Sequence, residues 1–288
     1  METPAKEVLS TWHAPEGHWV GDGFPVRTLF SYSRMGKLLS PFLLLDYAGP
    51  AEFAPSDKRR GVGEHPHRGF ETVTIVYSGE VSHRDTSGAG GTIGPGDVQW
   101  MTAGGGLLHE EFHSDSFTKS GGQLKMAQLW VNLPAREKMT APRYQAITSS
   151  QIPVVWLPGN AGQIRVIAGS LGEAKGAAKT WTELNVWDVK LEGTADLNVP
   201  EGHNTVIAML GGELSLAGHA LGDGDLALLS AGGTQVSVST GTGATFLLMS
   251  GVPIDEPIVG YGPFVMNTRE EIVQAYEDLQ SGRFGSLG

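Results

Sequence analysis

Cysteine is absent from the 288 residues, so no disulfide, thiolate ligand or cysteine nucleophile can contribute. Basic charge is scarce as well: Lys plus Arg total 20 against 31 Asp plus Glu, a net charge of -11. Such a surface repels nucleic-acid phosphates and anionic membranes, and direct nucleic-acid binding is not expected. No apolar run approaches the ~20 residues of a membrane helix; the longest is the short stretch from Phe42 to Leu45. Met1 to Trp12 mixes charged and polar residues without the apolar segment of a signal peptide. These absences lead to the expectation of a soluble, cytoplasmic protein with no membrane partner. Any metal has to sit on histidine and carboxylate.

Turn-forming residues are abundant, with 41 Gly and 16 Pro scattered between short runs rich in Val, Ile, Thr, Leu and aromatics. Strands are predicted at Thr72–Tyr77, Asp97–Met101, Gln128–Asn132, Ile164–Ala168, Thr205–Leu210, Gln235–Ser239 and Thr245–Met249. Only the C-terminal region reads as helix. Thr268 and Glu271 form a capping box, Ile272, Tyr276 and Leu279 share a face, and Gly282 stops it.

The chain also repeats itself. GPGDVQWMTAGG at Gly94–Gly105 resembles GDGDLALLSAGG at Gly222–Gly233, an offset of 128, and Gly79–Ser82 resembles Gly212–Ser215, an offset of 133. The expected fold class is therefore all-β, with two related barrels, residues 1–140 and 141–288, the second followed by a short helix.

Histidine carries the chemistry. His65 and His67 stand two apart, as do His109 and Glu111, so in extended backbone each pair projects to one face. Two such pairs converging would supply three imidazoles and one carboxylate, leaving positions open on a six-coordinate ion. Glu71 competes with Glu111 as the carboxylate, because it shares parity with His65 and His67 in a regular strand. Glu110 and Glu64 have the opposite parity, and His83 and His113 stand isolated. Applying the repeat offsets to the four ligand positions lands on Asn198, Pro200, Ser237 and Ser239, which form no ligand set. The second barrel is thus expected to bind no metal in this way.

The segments EHPHRGFETVT at Glu64–Thr74, Gly79-Glu80, HRD at His83–Asp85, GDVQWMTAG at Gly96–Gly104, His109 with Glu111, QLWVNLP at Gln128–Pro134 and GPFVMNT at Gly262–Thr268 together closely resemble the pirin family of the cupin superfamily. The resemblance implies a bicupin, two cupin barrels packed face to face, with one metal ion in the first. It assigns ligation to His65, His67, His109 and Glu111 and so favours Glu111 over Glu71.

The resemblance also implies Fe(II) as the ion, although Zn, Cu, Ni, Mn and Co suit the same ligands. The activity implied is that of a quercetin 2,3-dioxygenase, a metal-dependent oxidoreductase that opens a flavonol ring with O2. Glu111 would act there as both ligand and base. Arg68 is a candidate for orienting an anionic substrate or for an ordinary salt bridge. The other reading is a metal- or redox-sensing co-regulator that binds a transcription factor or metabolic enzyme, and a third is a closed structural Zn site. A monomer is expected.

Overall fold

A computed structural model describes residues 4–287. Through Ile147 it contains twelve strands: β1 Val8–His13, β2 His18–Val20, β3 Phe24–Ser31, β4 Phe42–Phe53, β5 Gly61–His67, β6 Phe70–Ser78, β7 Val81–Asp85, β8 Gly90–Ile93, β9 Val98–Thr102, β10 Leu107–His113, β11 Gly122–Asn132 and β12 Arg143–Ile147. Each predicted strand lies on or within one residue of an observed one. The predicted helix forms at Arg269–Gln280, with the Thr268 hydroxyl accepting from Glu271 N–H and the Glu271 carboxylate accepting from Thr268 N–H. No helix among the described residues is long and apolar enough to cross a membrane.

Two compact units result, each a seven-stranded antiparallel sheet facing a four-stranded one. In the first the orders are β12-β9-β6-β11-β4-β3-β2 and β5-β10-β7-β8. In the second, the large sheet runs β1, Asp225–Leu229, Asn204–Gly212, Ala244–Gly251, Leu184–Leu191, Gly162–Ala168 and Val154–Trp156. Its small sheet runs Thr194–Asn198, Gln235–Ser239, Leu214–Leu216 and His219–Leu221. These matching sheet orders are the architecture that the repeat predicts.

The units do not follow the linear division at residue 140. The segment up to Pro15, together with Leu38–Pro41, belongs with residues 150–253. Everything from Ile254 onward belongs with the first barrel. Backbone pairing is the reason: β1 adds to the edge strand Asp225–Leu229, whereas the C-terminal helix buries Ile272 and Ala275 in a cluster with Leu108, Phe264 and Phe284. Edge groups and apolar faces bury where partners exist, whatever the chain order.

The two interiors differ in chemistry. The second barrel is filled by one apolar cluster that includes Ile207, Met209, Trp187, Phe246 and Leu248. On the strands that occupy the places of β5 and β10, Ala195, Leu197, Val236 and Val238 join that cluster, while Ser237 is exposed and donates to Asp196. Leu197, Val236 and Val238 are thus apolar core residues one position from Asn198, Ser237 and Ser239, which the simple offset reaches. In the first barrel the apolar cluster of Phe24, Phe53, Val76, Phe117 and Leu124 fills only part of the interior. Thr74, Gln99, His109 and Glu111 are buried in the remainder.

Candidate metal centre

β5 and β10 are antiparallel neighbours, and the register sets His109 opposite His65. The imidazoles of His65, His67 and His109 converge, with ring centroids 4.2 to 4.8 Å apart, and offer ligand atoms all within 4.8 Å of one another. Beyond His109 the pairing with β5 shifts register, and Glu111 joins His109 and His83 in a second, overlapping trio whose ligand atoms also lie within 4.8 Å of one another. Among the described residues these are the two groups that could hold a metal ion, and His109 is common to both.

Hydrogen bonds set which nitrogen each ring presents. His65 Nδ1 lies 2.8 Å from the Gly63 carbonyl and His67 Nδ1 3.3 Å from the Pro263 carbonyl. A carbonyl only accepts, so each Nδ1 carries the proton and each Nε2 keeps its lone pair. His109 Nε2 is buried without any hydrogen-bond partner, an orphan that an ion would satisfy. Burial, followed by the neighbouring imidazoles, holds His67 and His109 well below the usual histidine range, so both are neutral at neutral pH and able to ligate. The donor set fits a divalent cation.

Glu111 is oriented at both oxygens. Its Oε2 accepts from Gln128 Nε2 at 2.8 Å, and its Oε1 accepts from the Thr74 hydroxyl at 3.2 Å and Gln99 Nε2 at 3.4 Å. Phe70 and Trp130, stacked at 4.2 Å, stand beside His67 with centroids 5.1 and 5.3 Å from its ring.

The rival carboxylate is elsewhere. Arg68 and Gly69 separate β5 from β6, Gly69 having φ +89°, where an added Cβ would meet the Val265 carbonyl at 2.0 Å. The regular strand that parity requires is therefore broken. Glu71 pairs with Thr102 and alternates away from Thr74, with its Oε1 accepting from Thr102 at 2.6 Å and its Oε2 unpartnered. Burial pushes its carboxyl up to about 7. Between 4.5 and 7 the folded chain keeps a proton that the unfolded chain has lost, so stability falls as pH rises through that window. Glu71→Gln should accordingly raise Tm above pH 7, by a stabilisation on the order of 2 kcal/mol, and have little effect near pH 4.5. Thermal melts across that range check it.

Arg68 does not face the metal group. Its Nη2 donates to Asp278 at 2.8 Å and its Nε to the Gly105 carbonyl at 2.7 Å, and its guanidinium lies over the Phe284 ring. Lys138, also buried, donates to the Gly69 and Val265 carbonyls and to Asn132. The tail thus clamps the turn that carries His67. His113 is a core histidine, donating to the Gly23 carbonyl among Phe24, Phe53 and Phe117. His83, which stands isolated in the sequence, lies against His109 with an Nδ1 to Nδ1 distance of 3.2 Å. The available signal was its spacing from Asp85, two residues along the same strand.

The pirin family profile matches residues 23–131, and the pirin C-terminal cupin domain profile matches residues 186–285. A pirin-like protein of Caulobacter vibrioides is 38% identical over 274 residues, 93% of this chain and 96% of its own length. The chain belongs to the pirin family. Another relative of this pirin, from Pseudomonas aeruginosa, bears the name "Putative quercetin 2,3-dioxygenase PA2418" and is 54% identical over 97% of this chain and 98% of its own. Among solved structures, a quercetin 2,3-dioxygenase from Acinetobacter baumannii superposes with a TM-score of 0.96 at 53% identity, covering 98% of this pirin and 99% of that chain.

Proposed function

We propose that this pirin is an iron-dependent dioxygenase that opens flavonols of the quercetin type. The observation that carries the reading is the convergence of His65, His67 and His109 beside Glu111, with the Nδ1 protons of His65 and His67 committed to backbone carbonyls and His109 Nε2 left free. Relatives of more than half identity that bear the quercetin 2,3-dioxygenase name support the choice of substrate.

In this reading His65, His67, His109 and Glu111 hold one Fe(II). The ion supplies Lewis acidity toward the vicinal hydroxyl and ketone oxygens of the substrate and a redox partner for O2. The protein does the rest. Glu111, steadied by Gln128, Thr74 and Gln99, accepts the proton of the flavonol hydroxyl and leaves the flavonolate. Phe70 and Trp130 offer an aromatic wall for the flavonol rings, and the buried, unpartnered Trp130 Nε1–H is a donor for a ring substituent. Both atoms of O2 enter the ring-opened ester, and the hydroxyl-bearing carbon leaves as carbon monoxide.

The test is anaerobic addition of quercetin to the Fe(II)-loaded protein, then O2, following the flavonol absorbance and trapping carbon monoxide. Absorbance should fall only after O2, with stoichiometric carbon monoxide, and Glu111→Gln should lose the reaction. An unchanged spectrum with iron bound would sink the dioxygenase reading while leaving the metal site intact.

A further inference from the structure

We propose that Asp85 and His83 act as a positioning pair that fixes the tautomer of His109 and so turns its Nε2 lone pair toward the metal. The inference rests on the metal-binding reading above and concerns two residues outside the ligand set. β7 lies beside β10, and the register puts Asp85 opposite His109 and His83 opposite Glu111. Both side chains are buried.

The chain of protons runs from the β7 turn to the metal group. Asp85 Oδ1 is committed to the turn after β7, accepting from the Ser87 N–H at 2.8 Å, the Ser87 hydroxyl at 2.5 Å and the Ala89 N–H at 3.4 Å. Its other oxygen, Oδ2, is 2.8 Å from His83 Nε2. A carboxylate only accepts, so the single proton of a neutral His83 imidazole sits on Nε2, which leaves its Nδ1 as an acceptor. That Nδ1 faces His109 Nδ1 at 3.2 Å, and one of the two nitrogens must donate. Since His83 Nδ1 has no proton, His109 Nδ1 donates, and His109 Nε2 is bare. His109 Nε2 is buried and has no hydrogen-bond partner among the described residues. Tyr144, stacked on His83 at 5.0 Å and 11°, holds that ring in place. His65 and His67 obtain the same tautomer from backbone carbonyls, and the third ligand obtains it from a side-chain relay.

Asp85→Asn is a near-isosteric test. The three donors on Oδ1 select the amide oxygen for that position, which turns the amide NH2 toward His83 Nε2. His83 must then accept at Nε2 and carry its proton on Nδ1. His109 Nδ1 must accept in turn, and the His109 proton moves to Nε2, onto the nitrogen the ion needs.

The readouts are the ring tautomers of the metal-free chain, from long-range proton–nitrogen NMR correlations at neutral pH, and Co(II) affinity by competition with a chromophoric chelator. Wild type should show Nδ1–H on His109. Asp85→Asn should show Nε2–H with an unchanged Tm, and bind Co(II) more weakly by on the order of 10–100-fold. His83→Leu leaves the Ser87 turn intact and removes the acceptor; it should weaken Co(II) binding similarly, and it serves if Asp85→Asn does not fold. Wild-type Co(II) affinity in either variant, or an unaltered His109 tautomer in Asp85→Asn, overturns the inference. A wild-type chain that binds no Co(II) overturns the metal reading instead.

Discussion

His109→Ala should abolish metal binding and reduce metal-dependent turnover by ~1000-fold or more, beyond the on the order of 10–100-fold that loss of an outer hydrogen-bond partner costs. His109 belongs to both groups of converging ligand atoms, and its Nε2 has no hydrogen-bond partner among the described residues, so its removal takes a donor from each group. The contrast is His113→Ala. That imidazole is packed by three phenylalanines and bonded to Gly23, so its loss should lower Tm and leave the metal stoichiometry of the folded protein unchanged. Elemental analysis of the purified variants, with melts and turnover on the same samples, separates the two histidines. A His109→Ala chain with wild-type metal content would remove the ligand assignment.

The largest effect on stability is expected at Asp278. Its carboxylate is held below the usual range, first by the Arg68 hydrogen bond, and it also accepts from Arg283 and Gln274. In Asp278→Ala the Arg68 guanidinium, 4% exposed, stays buried with its charge partner gone. Breaking a buried pair costs ~3–5 kcal/mol, and the lower end applies here because Arg283 on the same carboxylate is solvent-exposed. For a protein of this size that is a fall in Tm of about 10 °C. Metal affinity should fall with it, since Arg68 adjoins His67. Arg68→Met combined with Asp278→Leu should recover most of the stability, because no charge is then left buried. Recovery of Tm without recovery of metal affinity would show that the pair also aims His67.

Local chemistry was legible in the sequence, and distant partners were not. The Thr268–Glu271 capping box is complete within four residues, and the helix forms where it indicates. Gln235–Ser239 alternates so plainly that its strand limits match. The two ligand pairs were visible because a strand carries its information at a spacing of two. Glu71 went astray for the same reason: parity assumes unbroken backbone, and Gly69 at φ +89° breaks it. For Arg68 the salt-bridge alternative is the one observed, but it is buried, and its partner, 210 residues away, could not be read from the sequence. His83 has a visible partner in Asp85, but its contact with His109 depends on the pairing of β7 with β10, which no local pattern encodes. The second barrel also shows the limit of a fixed offset: a slip of one residue exchanges Ser237 for Val236 and turns an exposed position into a core one.

The exchange of terminal segments between the two units imposes an order in time. A ribosome completes residues 150–253 of the second unit before it reaches Ile254, yet the residues from Ile254 to the C-terminus belong to the first unit. The carbonyl of Pro263 that sets the His67 tautomer, the Val265 carbonyl that Lys138 fills and the Asp278 carboxylate that neutralises Arg68 are all translated after the second barrel. While the chain is still emerging, the turn bearing His67 therefore lacks its clamp. In the proposed function, metal acquisition is expected to be a late event of biogenesis, and proteolytic nicking near Ile254 should be felt first at the candidate metal site, in the half of the chain that was made first.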